Sequence, residues 1–167
     1  EAQRRLPDEA AIAAIRARYP VEPEIDAVLT RKMHRRHGPG YVPATLERLV
    51  EGISTLVTAR VGYPVEVADA RWLGGGASKL QVLFDLKWRG PDGAASRTDT
   101  LVLRMEPSAS ITESSRYREF EVLEAVQGVI PSPKPWWVDG DGTFLPYPAM
   151  IYGFVTGVAK PSYDSGK

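Results

Sequence analysis

The chain has no cysteine, which excludes a disulfide framework and thiolate-ligated zinc and suits a reducing compartment. It has no apolar run near the roughly 20 residues that a membrane-spanning helix needs. Its charged start, "EAQRRLPDEA", lacks the apolar centre of a secretory signal. It also has no charge excess: Lys and Arg total 21, as do Asp and Glu. No global field therefore draws the protein to nucleic acid or an acidic membrane, and any electrostatic function must be local. With two histidines in all, His-based catalysis has few places to sit. These absences predict a soluble, cytoplasmic chain without nucleic-acid or membrane partners.

What is present is ordinary for a globular protein: 167 residues, 43% hydrophobic and 25% charged, enough for one domain or a compact lobe with an appendage. The chain starts at Glu1 and stops at "SYDSGK" without an evident closing element, so it reads as part of something longer.

The first sixty or so residues are helical in pattern. Asp8 stands as an N-cap before Ile12, Ile15 and Tyr19 at helical spacing, and Pro20 and Pro23 end that segment. A second helix is predicted from Glu24 to about Arg36 with Ile25, Val28, Leu29 and Met33 on one face, closed by Gly38, Pro39 and Gly40. The third is the clearest, because Leu46, Leu49, Val50, Ile53, Leu56 and Val57 recur in steps of three and four behind a Thr45 N-cap.

After Gly62 the period changes. "VEVADARWL" predicts a strand, and Leu80, Val82, Phe84, Leu86 and Trp88 alternate in the next one. The turn "RGPDGAAS" leads into "TLVLRM", where Leu101, Leu103 and Met105 share one face and Val102 and Arg104 the other. A helix is expected over 112–127 with Gly128 as its C-cap. The prolines of "IPSPKPWW" suit an edge segment, and "VDGDGT" turns the chain toward "AMIYGFV". The predicted fold class is α+β, with a five-stranded antiparallel sheet.

Three features invite chemistry. The run "LGGGAS" brings flexible backbone and exposed N–H groups between two strands, which suits either an ordinary turn or a cover for phosphates. It is neither a Walker motif nor a dinucleotide fingerprint, since the required spacing and following helix are missing. Arg104 interrupts an apolar strand, where a cation must be paired or must snorkel from an edge. Glu119 lies at helical spacing from Arg116, Leu123 and Val126, so its carboxylate follows a partly apolar stripe and needs a cation, either Arg104 or the local Arg116.

Together these parts have the layout of a kinase N-terminal lobe: a glycine turn over ATP phosphates, a strand cation on the α and β phosphates, and a helix carboxylate holding that cation. The motifs "LGGGAS", "LVLRMEP", "YREFEVLEAV", "VIPSPKP" and "IYGFVTG" resemble the aminoglycoside phosphotransferase and choline kinase-like family. The resemblance runs from about Val65 to Gly157. It implies a helical extension over 1–62, a kinase-like N-lobe over 63–157, and the start of a linker to a C-lobe over 158–167. It also implies ATP with Mg²⁺ as cofactors and a small-molecule hydroxyl as acceptor. By position, Gly74, Gly75, Gly76, Ala77 and Ser78 would cover the triphosphate, with Arg104 and Glu119 as the nucleotide clamp. Tyr152 would lie by the adenine ring, and the backbone of Gly153, Phe154 and Val155 would read its edge.

Two departures from that family pattern stand out. Lys79 follows the glycine-loop Ser where a polar amide is usual, and is expected to point to solvent. The His-Gly-Asp loop that carries catalysis, and the later metal-binding Asp, are nowhere in the chain. The sequence therefore carries no catalytic or metal residue by this assignment, and those groups are expected in a second lobe. The rival is a non-catalytic kinase-like module that senses nucleotide or binds protein.

Elsewhere the bland alternatives are favoured. "RKMHRRHGPG", with Arg31, Lys32, Arg35 and Arg36, reads as a solvated helix end rather than a nucleic-acid or acidic-partner patch. His34 and His37 lack the neighbours of a metal site. "DGDG" is a hairpin turn, and Trp136 and Trp137 are packing residues. Self-association through the first helices remains open.

Overall fold

The computed structural model describes residues 7–35, 44–74, 78–93, 95–107 and 113–156. Two helices come first, α1 (Glu9–Arg18) and α2 (Pro23–Arg35), and then α3 (Leu46–Val61). Strands β1 (Glu66–Trp72), β2 (Leu80–Trp88) and β3 (Arg97–Met105) follow, then α4 (Arg116–Ala125), β4 (Pro135–Asp139) and β5 (Ala149–Gly153). The five strands form one antiparallel sheet in the order β1-β2-β3-β5-β4. The first three strands are a meander. The chain then leaves through α4, runs along the far edge as β4, and returns to pair β5 with β3.

Local chemistry accounts for the helix ends. The Asp8 carboxylate accepts the Ala11 N–H at 2.7 Å, and the Thr45 hydroxyl accepts the Arg48 N–H at 3.3 Å. Each cap satisfies one of the N–H groups that an α-helix leaves unpaired at its start. Gly62 ends α3 in the left-handed conformation, at φ +79°, that glycine adopts without the Cβ clash of other residues.

The main core lies between α3 and one face of the sheet. Leu49, Ile53, Leu56 and Val57 of α3 are fully buried against Val82, Phe84 and Leu86 of β2, Leu101, Leu103 and Met105 of β3, and Ile151 of β5. The period-2 face of the strands and the period-3.6 stripe of the helix thus close on each other, and each large side chain so buried contributes about 1.5–3 kcal/mol. Gly52 makes the close approach possible. A Cβ there would stand 2.8 Å from both Leu145 Cδ2 and the Phe144 carbonyl oxygen.

At the far end of this core Trp88 meets Trp136 and Trp137 edge-on, with ring centroids 5.4 and 5.3 Å away. The two tryptophans of the edge strand are packing residues, as their sequence setting suggested. The "DGDG" turn is held from within, since the Asp139 carboxylate accepts N–H bonds from Thr143, Phe144 and Leu145.

Three expectations shift. α4 begins at Arg116 behind a Ser115 N-cap and ends at Ala125, a turn shorter at the start than expected; Thr112 lies outside the described residues. Gly128, at φ +76°, belongs to the turn beyond the helix. In α1 and α2 the apolar stripes stay partly in solvent: Ile12 and Val28 are buried, but Ile15, Tyr19, Ile25 and Leu29 are exposed. Among the described residues no helix is long and apolar enough to cross a membrane.

Candidate functional site

On the face of the sheet opposite α3, polar chemistry is concentrated where β3 passes under α4. Strand alternation turns Arg104 away from the Leu103 and Met105 side, and the register sets it opposite Gln81 of β2 and Met150 of β5. Arg104 Nε donates to Glu119 Oε2 at 3.3 Å, with both side chains about a quarter exposed. The pair inferred from the sequence is therefore present, and so is its local alternative: Arg116 Nη2 lies 2.6 Å from Glu119 Oε1.

The network extends further than the sequence suggested. Arg116 is fully buried, and the same Nη2 also reaches Glu106 Oε1 at 2.7 Å and Ser114 Oγ at 2.6 Å. Glu106, fully buried as well, receives Lys79 Nζ on both oxygens, at 2.8 and 2.9 Å. Five alternating charges thus run Lys79, Glu106, Arg116, Glu119, Arg104. They join the start of β2, just after the glycine turn, to the end of β3 and the first turn of α4. Ser114 adds its hydroxyl to the Glu119 carboxylate.

The expectation that Lys79 points to solvent is corrected. Its side chain is buried, and burial of its ammonium is offset by a carboxylate that accepts on both oxygens. Nothing in the local sequence marks Glu106 as its partner, because the two are 27 positions apart. The signal that was available is the pair of charges at the end of an apolar strand, in "LRMEP". Burial disfavours the charged form of Arg116 and lowers its pKa, while Glu119 and Glu106 oppose the shift. Its Nε and Nη1 are buried and have no hydrogen-bond partner among the described residues.

Beside the network an open cavity of about 460 Å³ is lined by Arg104, Glu119, Leu123, Pro133, Met150 and Tyr152, among others. Apart from the charged pair its walls are mainly apolar. Tyr152 stands over Val102 in the register, and burial raises its pKa, with Arg104 pulling the other way. Its size, apolar walls and few polar groups are those of a small-molecule site.

The other residues singled out from the sequence are less assembled. Gly74 and Ser78 flank the β1–β2 turn and are exposed; Gly75, Gly76 and Ala77 lie outside the described residues. The turn is anchored below by the Leu73 N–H, which donates to the Gln81 carbonyl at 2.9 Å. At the end of β5, Gly153 donates its N–H to the Lys134 carbonyl at 2.8 Å and Phe154 to that of Thr100 at 3.1 Å. Those two N–H groups are engaged within the protein and are not free to read the edge of a base.

No protein-family model matches the chain, and no curated protein matches it. The functional assignment rests on the geometry and on the motifs themselves.

The basic cluster of α2 is a second correction. Arg31 and Arg35 are not a solvated helix end. Both hold the Glu113 carboxylate, at 2.9 and 3.1 Å, and the Glu113 side chain is fully buried. Arg36 and His37 lie outside the described residues, and His34 Nδ1 stands 3.3 Å from the exposed Glu9. Among the described residues no group of three or more His, Cys, Asp or Glu is gathered around a common point.

Proposed function

We propose that this chain is the ATP-binding N-terminal lobe of a phosphotransferase that moves the γ-phosphoryl group of ATP to a hydroxyl of a small molecule. The observation that carries the proposal is the Arg104–Glu119 pair at the mouth of the cavity. It supports a clamp in which the guanidinium meets the α and β phosphates and the carboxylate holds it in place. The five-stranded antiparallel sheet, with a helix between its third and fourth strands, supports that reading, because it is the element order expected of a kinase-like N-lobe.

In this scheme each part has a defined task. The β1–β2 turn, including Gly74 and Ser78, covers the triphosphate with backbone N–H groups. Arg104 offers phosphate oxygens the planar, paired N–H donors of a guanidinium. Tyr152 and Met150 offer apolar contact to the base, and Val155 lies in reach of its edge. Mg²⁺ has no carboxylate cluster to hold it among the described residues, so no step is assigned to it here. The acceptor-activating Asp and the metal ligands are placed in a further lobe, because neither histidine of the chain opens a His-Gly-Asp motif.

ATP titration by calorimetry, with and without Arg104→Ala, tests the assignment. The variant is expected to weaken ATP binding about tenfold or more, about 1.4 kcal/mol. Equal affinity in the two proteins rules out the clamp. Saturable ATP binding with no phosphotransferase activity in the intact protein favours the sensing module instead.

A further inference from the structure

Four contacts tie α2 and the residue just before it, Glu22, to the start of α4, and all join residues far apart in sequence. Glu24, Val28, Arg31 and Arg35 follow one another at steps of four, three and four, so they form one stripe along α2. Val28 is buried. Arg31 Nε and Arg35 Nη1 donate to the two oxygens of Glu113, at 3.0 and 3.1 Å. At the other end of the stripe the Ser115 hydroxyl donates to Glu24 at 2.8 Å, and the same oxygen accepts the Arg118 N–H as the α4 N-cap. Next to it Arg118 Nη2 donates to Glu22 at 3.1 Å.

The Arg118–Glu22 pair is exposed, but the other three contacts differ in kind from ordinary surface pairs. The Glu113 side chain is fully buried, so its charge depends on the two guanidinium groups that reach it from α2. Glu24 places a carboxylate at the positive end of the α4 dipole and orients the hydroxyl that caps the helix. Glu119 lies one turn further along α4, four residues after that cap.

We propose that α2 is a brace for α4, in which Arg31 and Arg35, acting through Glu113, are positioning residues that set the first turn of α4 and so hold Glu119 against Arg104. Neither arginine touches the cavity. Their effect on nucleotide affinity rests on the function proposed above, whereas their effect on α4 does not.

Hydrogen exchange of the nucleotide-free protein, followed residue by residue, separates the two. In Arg31→Ala/Arg35→Ala the amides of α4 are expected to lose about tenfold or more of their protection while those of β2 and β3 keep theirs. Arg31→Lys/Arg35→Lys retains both charges and should restore most of the loss. ATP affinity should fall severalfold in the Ala pair and recover in the Lys pair. Unchanged protection in α4, or a loss spread equally over β2 and β3, overturns the brace. If the Ala pair does not fold, Glu113→Gln serves: it keeps the side-chain volume but removes the carboxylate that Arg31 and Arg35 hold, and unchanged protection in α4 overturns the proposal. Should the unaltered protein bind no ATP, the proposed function fails, and the α4 exchange still decides the brace.

Discussion

Toward α3 the sheet presents Phe84, Leu86, Leu101, Leu103 and Ile151, all packed without polar atoms in their side chains. Toward α4, the end of β3 presents Arg104 and Glu106, which are bound into a file of five charges. The first face is held by an attraction that has no direction and scales with area removed from water. Any side chain of about the right volume serves there. On the second face each group needs a particular partner at a particular distance, since a buried charge that loses its counter-ion pays the full desolvation penalty. The two faces should therefore answer differently to equally gentle substitutions.

The largest effect is expected at Glu106. Glu106→Gln keeps the volume but leaves Lys79 and Arg116 without their shared carboxylate, and should lower unfolding stability by about 3–5 kcal/mol in a denaturant titration. Adding Lys79→Met should recover part of the loss by removing one orphaned charge. A change under about 1 kcal/mol for Glu106→Gln would show that the file is weaker than its burial implies. On the apolar face, Leu103→Met is a comparable swap and should change stability by less than about 1.5 kcal/mol by the same titration, because Met repacks. A larger loss there than at Glu106 would invert the comparison.

The smallest effect concerns the seat of α4. The Tyr117 ring covers Gly140, where a Cβ would stand 2.2 Å from Cε2, and its hydroxyl donates to Asp141 at 2.8 Å. Burial, then the Asp141 carboxylate, pushes its pKa from 10.0 to about 12. A phenol that holds its proton more tightly when folded contributes stability that is complete below pH 10 and is lost as pH rises toward about 12. Tyr117→Phe should flatten the fall in stability over that window, modestly because the Tyr117–Asp141 hydrogen bond is exposed and screened by water. An identical pH profile in the variant would dissociate the ring contact from any stake in the proton.

Much of the framework was legible beforehand. The caps at Asp8 and Thr45, the alternation of β2, the edge position of the proline-flanked strand and the element order all follow from local propensity and period, which a single segment carries in itself. So does the pairing of Arg104 with Glu119, because an unpaired charge on an apolar strand or stripe demands a partner and the candidates were few. Lys79 and the arginines of α2 were misjudged for the opposite reason. A Lys beside a glycine turn, or an Arg in the last turn of a helix, is locally content in water. Only the arrival of Glu106 and Glu113 from distant segments gives either a reason to be buried.

The sequence by itself determined where the helices and strands lie, which faces are apolar, and that Glu119 needs a cation, with Arg104 and Arg116 as the candidates. These properties depend on spacing within a few residues. The tertiary structure alone decided that five charges form one file, that α2 meets α4 through a polar stripe while Ile25 and Leu29 stay exposed, and that the Gly153 and Phe154 N–H groups are already bonded. Those outcomes depend on which partner arrives across the fold, and an ionic or hydrogen-bonding group is indifferent among suitable partners until the backbone brings one within about 3 Å.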